Sequence, residues 1–236
     1  MLPAATGGDN WQGGSYDPEI GILYVFSNTA ISSLGLVHDE QRSTMNFIQG
    51  TARDPAAAQA GGQGASGAPV AASSGPALPA PPAAGGGGGE GGGGINVQGL
   101  PLVKPPLGRI TAIDLNNGEI VWQVAHGETP DNVRNHAALK GLNIPRTGRP
   151  GRIGTLATKT LVVAGEGGFF TTPSGLRGAM LRAYDKATGQ EVGAVYMPAP
   201  QTGSPITYLL NGRQHLVVAI SGVGYSGELI AFKLPS

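Results

Sequence analysis

The apolar positions of this chain fall into short runs separated by turn residues, and no helical period of useful length lies between them. Residues 22–26 form an unbroken apolar run after a turn at residues 17–21, which predicts a strand buried on both faces. Residues 109–115 and 119–124 predict two strands of a hairpin, because an Asn-Asn-Gly turn lies between them. The pattern therefore indicates an all-β fold.

Further strand pairs follow in the second half of the chain. Residues 154–165 predict two strands about a short turn. Residues 204–220 predict a hairpin about Asn211 and Gly212, a dipeptide that favours the tight turn between antiparallel strands. Residues 228–234 match the first strand of a hairpin, and the chain ends before a partner strand.

One sequence frame occurs twice. Residues 112–118 and 183–189 share the spacing Ala-x-Asp-x-x-x-Gly, in which Asp can bond the amides of its own turn and Gly can adopt a left-handed conformation. A repeated hairpin indicates a repeat architecture, and four-stranded repeats are the blades of β-propellers. The sequence thus predicts a partial β-propeller of about three four-stranded blades. The last blade is incomplete, so further blades are expected upstream.

A stretch of low complexity interrupts the first repeat. The chain has 41 Gly and 19 Pro, and residues 51–95 hold much of the excess, with few large apolar side chains. Such a segment cannot offset the entropy of ordering its backbone, which predicts a disordered insertion. A tolerated surface-loop insertion is favoured over a binding tail. The predicted organisation is a first partial blade and its connection (1–50), the insertion (51–95) and the remaining blades (96–236).

Composition excludes several classes of function. Fifteen basic and 15 acidic side chains balance, so no general attraction to nucleic acid or an anionic membrane is expected. The chain has no cysteine, which excludes disulfides and thiolate sites. No apolar run approaches the roughly 18 residues of a spanning helix, and the first residues have neither a basic nor an apolar segment. We expect no membrane span and no signal peptide in this chain.

Four motifs in succession resemble one enzyme family. They lie at residues 8–25, 104–115, 181–189 and 202–214, and they include Gly-Asp-Asn-Trp-Gln-Gly-Gly-Ser-Tyr-Asp-Pro and Gly-Ser-Pro-Ile-Thr-Tyr. This series is similar to the carboxy-terminal part of the pyrroloquinoline-quinone (PQQ)-dependent dehydrogenases, in particular the glucose and alcohol dehydrogenase-like members. The resemblance implies an eight-bladed propeller that holds PQQ and calcium near its axis, usually in the periplasm, and oxidises a sugar or alcohol with electron transfer to a quinone or cytochrome.

The resemblance also suggests where the cofactor lies. Asn10 and Trp11 match an Asn-Trp pair that touches the quinone in the family, and an indole can lie against a planar quinone while an amide bonds its oxygens. The alternative for Trp11 is a core anchor. Gly154 and Thr155 begin another inner strand and could face the axis, so all four residues are predicted to contact the cofactor.

Other residues have a structural explanation. Trp122 fits the tryptophan-docking motif of the family, in which the indole packs between blades, whereas Gly193 replaces Trp in the second copy. Asp114 and Asp185 lie in turn motifs, so neither is chosen as a catalytic base. The family's catalytic Asp and calcium ligands lie upstream of the matched region. No catalytic or metal-binding residue is therefore predicted in this chain, and its four histidines show no ligand spacing.

The sequence leaves three hypotheses open. In the first, the chain is the carboxy-terminal portion of a PQQ-dependent dehydrogenase and joins a missing amino-terminal portion or complementing subunit. In the second, the chain is a propeller scaffold or binding module without a cofactor, which the loss of Trp at Gly193 and the long insertion make credible. In the third, it is a truncated reading frame that does not fold alone.

Overall fold

Antiparallel strands dominate the computed structural model, which describes residues 8–9, 12–31, 35–38, 40, 44–50, 95–172 and 174–233. The strands in chain order are β1 (Ser15–Asp17), β2 (Ile22–Asn28), β3 (Gly35–Val37), β4 (Ile48–Gly50), β5 (Asn96–Val97), β6 (Leu100–Pro101), β7 (Gly108–Asp114), β8 (Glu119–Ala125), β9 (Leu156–Ala157), β10 (Leu161–Gly165), β11 (Phe170–Thr171), β12 (Arg177–Asp185), β13 (Glu191–Met197), β14 (Ile206–Leu210), β15 (Arg213–Gly222) and β16 (Tyr225–Lys233).

Most of these strands form three antiparallel sheets. Sheet one has the order β1-β2-β7-β8, sheet two has β9-β10-β12-β13 with β11 also pairing β12, and sheet three has β14-β15-β16. Two short ladders, β3-β4 and β5-β6, lie in the connection between β2 and β7. The predicted all-β fold is confirmed, and the three sheets have four, five and three strands in chain order.

Sheet one is assembled from both sides of the low-complexity stretch. β2 pairs with β7 along its whole length, from Ile22 opposite Asp114 to Asn28 opposite Gly108. The first repeat is therefore interrupted, as predicted. Positions 51–94 lie outside the described residues, so the predicted disorder and the division at residues 50 and 96 stay predictions.

The connection from sheet one to sheet two contains little regular structure. It holds the short helix α1 (Asp131–Arg134) and a 3-10 turn (Ala137–Leu139), and otherwise runs as loop to β9. The sequence predicts a long loop here, because the segment is rich in Pro, Arg, Asn and Gly. The sequence does not predict the two short helical turns.

The middle sheet has two buried faces. Along β10, Val162 and Ala164 join a core with Tyr24, Phe26 and Ile110 of sheet one. The intervening Val163 joins a second core with Leu181 and Met197 of sheet two and Val218 and Ile220 of sheet three. Alternate residues of a strand point to opposite faces, so one apolar run serves both interfaces. The sheets therefore stack face to face in chain order.

Sheet one buries one face more completely than the other. Ile22, Tyr24 and Phe26 are buried, whereas Leu23 and Val25 are only half-buried. The prediction that residues 22–26 are buried on both faces is wrong for the described structure. The physical reason is that sheet two covers the first face, while no other described sheet covers the second.

Trp122 docks sheet one onto the next sheet, as the docking motif predicts. Its indole N–H donates to the carbonyl of Lys186 at 3.0 Å, and its ring packs on the turn that ends at Gly189. Gly189 has a φ of +72°, and a Cβ there would lie 2.7 Å from the Trp122 ring. Both the backbone conformation and the indole therefore require glycine at this position.

The turn beneath Trp122 is stabilised by its own aspartate. The Asp185 carboxylate accepts the backbone N–H groups of Ala187 at 3.1 Å and Thr188 at 2.9 Å, as the repeat frame predicts. Gly193 occupies the position equivalent to Trp122, because it lies opposite Ala183 as Trp122 lies opposite Ala112. A Cβ at Gly193 would meet no described atom within 4 Å. The second copy of the repeat therefore keeps the turn but lacks the tryptophan contact with a neighbouring sheet.

The Trp122→Ala substitution should destabilise the packing of sheet one on sheet two. Removing a large, nearly buried aromatic ring that also donates a hydrogen bond costs about 3–5 kcal/mol. The control is Ile120→Ala on the same strand, because Ile120 is exposed and its loss should change stability by about 0.5 kcal/mol or less. Urea unfolding of both variants gives the measurement. Equal losses would contradict the docking role.

Candidate functional site

The residues just before the first strands of the three sheets meet at one place. Gln12 precedes β1, Gly154 precedes β9 and Ser204 precedes β14. The Ser204 hydroxyl donates to the carbonyl of Gln12 at 3.0 Å. A Cβ on Gly154 would lie 2.1 Å from Ser204 Oγ and 2.9 Å from the Gln12 carbonyl oxygen. Only glycine fits between these neighbours, so Gly154 allows the three chain segments to approach. We call Gln12, Gly154 and Ser204 the junction.

Thr155 is buried beside the junction. Its hydroxyl donates to the carbonyl of Tyr24 at 3.0 Å and lies 2.8 Å from Ser15 Oγ. The Thr155 proton is thus used in a contact between sheet two and sheet one. Gly154 and Thr155, which the sequence predicts as cofactor contacts, lie together at the junction. Asn10 and Trp11, the other two, lie outside the described residues.

Gln12 has an unused acceptor. Its side-chain oxygen Oε1 is buried and accepts no hydrogen bond from the described residues. A buried amide oxygen without a partner is unfavourable by about 1–3 kcal/mol, so such atoms are commonly paired with a ligand, an ion or water. The junction therefore offers a polar group next to Asn10 and Trp11 in the sequence.

A buried ionic cluster joins the connection after β8 to sheet two. Arg182 on β12 donates to Glu166 through Nε at 2.8 Å and Nη2 at 2.6 Å, and to Glu128 and Glu191 at 2.9 Å each. The Glu166 carboxyl is fully buried, which raises its pKa, and the ion pair with Arg182 opposes that rise. Several acidic partners raise the pKa of Arg182 despite its burial. The cluster holds the connection against sheet two.

His126 lies buried between the first two sheets. Its Nε2 is 3.0 Å from the carbonyl of Gly165, which can only accept, so Nε2 carries the proton. Nδ1 therefore accepts from the Tyr184 hydroxyl at 2.8 Å. Burial lowers the pKa of His126 to about 4, so the imidazole is neutral at ordinary pH. A buried core role agrees with the absence of ligand spacing in the sequence.

Sequence reasoning missed most of these buried polar residues. Glu166 lies in Gly-Glu-Gly-Gly, which resembles a phosphate loop only weakly, and Arg182 is flanked by apolar residues within β12. A charged residue inside a strand predicted to be buried is a usable signal, because such a charge requires a partner. No local pattern identifies which partner. Gln201, in the segment before β14, was also missed.

Metal ligands are not apparent in the ranges that the structure describes. Within them, no group of three or more His, Asp or Glu side chains is arranged to hold a metal ion. The same ranges contain no helix that is long and apolar enough to cross a bilayer. The expectation that calcium ligands lie in other segments stays a prediction.

A family model identifies the chain. Residues 1–216 match the model of the β-propeller domain of the PQQ glucose/ethanol/alcohol dehydrogenases. The chain belongs to this PQQ-dependent dehydrogenase family. The resemblance seen in the four motifs is confirmed, and the three stacked sheets are parts of a β-propeller.

Curated relatives support the assignment. The chain is 31% identical over 99% of its length to a probable quinate dehydrogenase (quinone) of Xanthomonas campestris pv. juglandis, of which it covers 27%. It is 28% identical over 99% of its length to a glycerol dehydrogenase large subunit of Gluconobacter thailandicus, covering 29% of it. It is 29% identical over 58% of its length to quinoprotein glucose dehydrogenase A of Acinetobacter calcoaceticus, covering 16% of it. The chain thus spans less than a third of these relatives.

A solved structure shows the same fold. The crystal structure of the quinohemoprotein alcohol dehydrogenase from Comamonas testosteroni superposes with a TM-score of 0.51, covering 99% of this chain and 27% of that chain. The sequence identity is 20%, so this likeness concerns the fold. It places the three sheets within the architecture of a quinoprotein propeller.

The junction is chemically suited to PQQ. This cofactor carries carboxylates, quinone carbonyls and a pyrrole N–H on a flat ring system, so it can both donate and accept hydrogen bonds. The buried Gln12 side-chain oxygen is an acceptor without a described partner. The Gln12 backbone carbonyl lies beside Gly154 and accepts from Ser204. Gln12 and Gly154 would contribute to the wall of the site. When bound, PQQ would supply the two-electron oxidation of the substrate.

Lowering the pH should destabilise the fold through His126. Its folded pKa of about 4 lies below the unfolded value of about 6.5, so the unfolded chain takes up the proton first. Its contribution is complete above about pH 6.5, declines by roughly 3 kcal/mol toward pH 4 and is lost below. His126→Gln should flatten this part of a plot of unfolding free energy against pH. Equal slopes in the wild-type protein and in His126→Gln would contradict the assignment.

Proposed function

We propose that the chain forms part of a PQQ-dependent dehydrogenase and supplies blades together with part of the cofactor wall. The reaction is oxidation of a sugar or another alcohol, with electrons passed to a quinone or cytochrome. Support comes from relatives whose names include glucose, glycerol and quinate dehydrogenases, since all three substrates bear secondary hydroxyl groups. The name of the quinate enzyme gives a quinone as its acceptor.

The observation that carries this proposal is the convergence at the junction. The segments that begin the first strands of the three sheets lie together, and the neighbours of Gly154 leave no room there for a side chain. Asn10 and Trp11 immediately precede Gln12 in the sequence. In the proposal, Trp11 lies against the quinone ring and Asn10 bonds its oxygens, while Gly154 and Thr155 complete the wall.

The remaining parts of the enzyme belong to other segments in this proposal. The catalytic base and the calcium ligands are contributed by blades equivalent to the part of the relatives that this chain does not cover, either in a longer chain or in a complementing subunit. A periplasmic location is part of the same proposal and follows the family resemblance.

Titration with PQQ in the presence of calcium tests the proposal. Saturable binding, followed by the change in cofactor absorbance, is expected for the wild-type chain assembled with an amino-terminal propeller portion of a relative. Trp11→Ala should weaken binding at least tenfold, because it removes the flat surface beneath the ring. Tyr16→Ala is the matched control, since Tyr16 is an exposed aromatic residue nearby.

A non-catalytic scaffold is the second candidate. The open surroundings of Gly193 favour it, because one inter-blade dock of the repeat is absent. This candidate expects no saturable PQQ binding and no reduction of an artificial electron acceptor with sugars or polyols. Saturable PQQ binding that is weakened by Trp11→Ala would exclude the scaffold candidate.

A further inference from the structure

Gln201 is a buried amide whose polar atoms are all engaged. Only 2% of the residue is exposed. Its Oε1 accepts the backbone N–H of Gly165 at 2.6 Å, and its Nε2 donates to the carbonyls of Gly154 at 2.8 Å and Gly203 at 2.6 Å. Its own backbone N–H donates to the carbonyl of Glu166 at 3.0 Å. One side chain therefore joins two distant backbone segments, at Gly154 and Gly165, to its own segment at Gly203.

Two of these segments take part in the junction. Gly154 is a member of the junction, and Gly203 directly precedes Ser204, another member. Gly165 ends β10, the strand that faces both cores. The Gln201 amide therefore sets the separation between the start of sheet two and the start of sheet three. It also restrains the Ser204 side chain that reaches the Gln12 carbonyl.

The packing around Gln201 allows little adjustment. A Cβ on Gly165 would lie 2.7 Å from Gln201 Oε1 and 2.8 Å from its Cβ, so the strand end and the amide are in close contact. Buried amides without partners are costly, and this one has partners of good geometry at each polar atom. Loss of the amide would remove its hydrogen bonds to the carbonyls of Gly154 and Gly203 and to the N–H of Gly165.

We propose that Gln201 is a positioning residue for the cofactor wall, acting through the Gly154 and Gly203 carbonyls to hold the junction in its PQQ-binding geometry. This inference rests on the proposed function. All side-chain hydrogen bonds of Gln201 go to backbone atoms, so in this proposal it acts on cofactor affinity through the backbone. Small displacements of such supporting groups reduce binding, because a preformed site loses its preorganisation.

The first test compares PQQ affinity with stability. Gln201→Met keeps the length and approximate volume of the side chain and removes all of its amide hydrogen bonds. In the same assembly as above, at a temperature below every melting midpoint, this variant should bind PQQ about tenfold or more weakly, which corresponds to roughly 1.4 kcal/mol. Gln190→Glu is the matched control, because Gln190 is exposed and should keep wild-type affinity. A folded Gln201→Met protein with lowered melting temperature and wild-type affinity would overturn the proposal.

A second variant separates the two kinds of hydrogen bond. Gln201→Glu keeps an oxygen for the Gly165 N–H and loses the two donated protons. Affinity should fall as in Gln201→Met and recover in part as the pH is lowered relative to wild type, because a protonated carboxyl can donate to one carbonyl. A purely structural role would not couple that recovery to cofactor affinity.

A measurement on the wild-type protein covers the case in which the variants do not fold. Hydrogen exchange with and without PQQ should show added protection in peptides covering residues 162–168 and 200–205, where the Gln201 partners lie. The hairpin at residues 206–215 should be unchanged. Binding of PQQ without added protection at the Gln201 partners would overturn the positioning role alone. An absence of PQQ binding by the wild-type protein would instead overturn the proposed function.

Discussion

The middle sheet must bury both of its faces, and the rest of the structure depends on this constraint. β10 meets it with consecutive apolar residues, since Val162 and Ala164 face one neighbour and Val163 faces the other. A sheet with one polar face could leave that face in contact with water. This sheet has two apolar faces and therefore requires a neighbouring sheet on each side. Stacking in chain order is the result, and it brings equivalent points of successive repeats next to each other.

Stacking of equivalent repeats explains how the junction arises without a local motif. Gln12, Gly154 and Ser204 lie far apart in sequence, yet each precedes the first strand of its own sheet. The repeat brings these three positions together, and glycine at one of them permits the close approach. The Gln201 amide then joins these positions by donating to the carbonyls of Gly154 and Gly203.

The sequence predicted the sheets well because their signals are local. The Asp185 turn and the Asn211–Gly212 hairpin each depend on residues within one repeat, and the structure confirms them. The Trp122 dock joins two repeats, but the repeated motif predicts it and the structure confirms it. The burial of residues 22–26 was predicted wrongly, because burial depends on which sheet covers each face. At the site, the nearness of Gly154 to Thr155 follows from the chain, but the contacts with Gln12 and Ser204 are long-range.

Buried charge shows the limit of local signals most clearly. Arg182 stands in a strand whose apolar neighbours predict burial, so a partner was required by physical chemistry alone. Its partners Glu128, Glu166 and Glu191 lie in a connection, after a strand and in another strand, and only the folded chain brings them together. The cluster stabilises the long connection between the first two sheets. That connection contains both Glu128 and Gly154. The ion pairs of Arg182 therefore fix one end of the segment whose other end forms the junction.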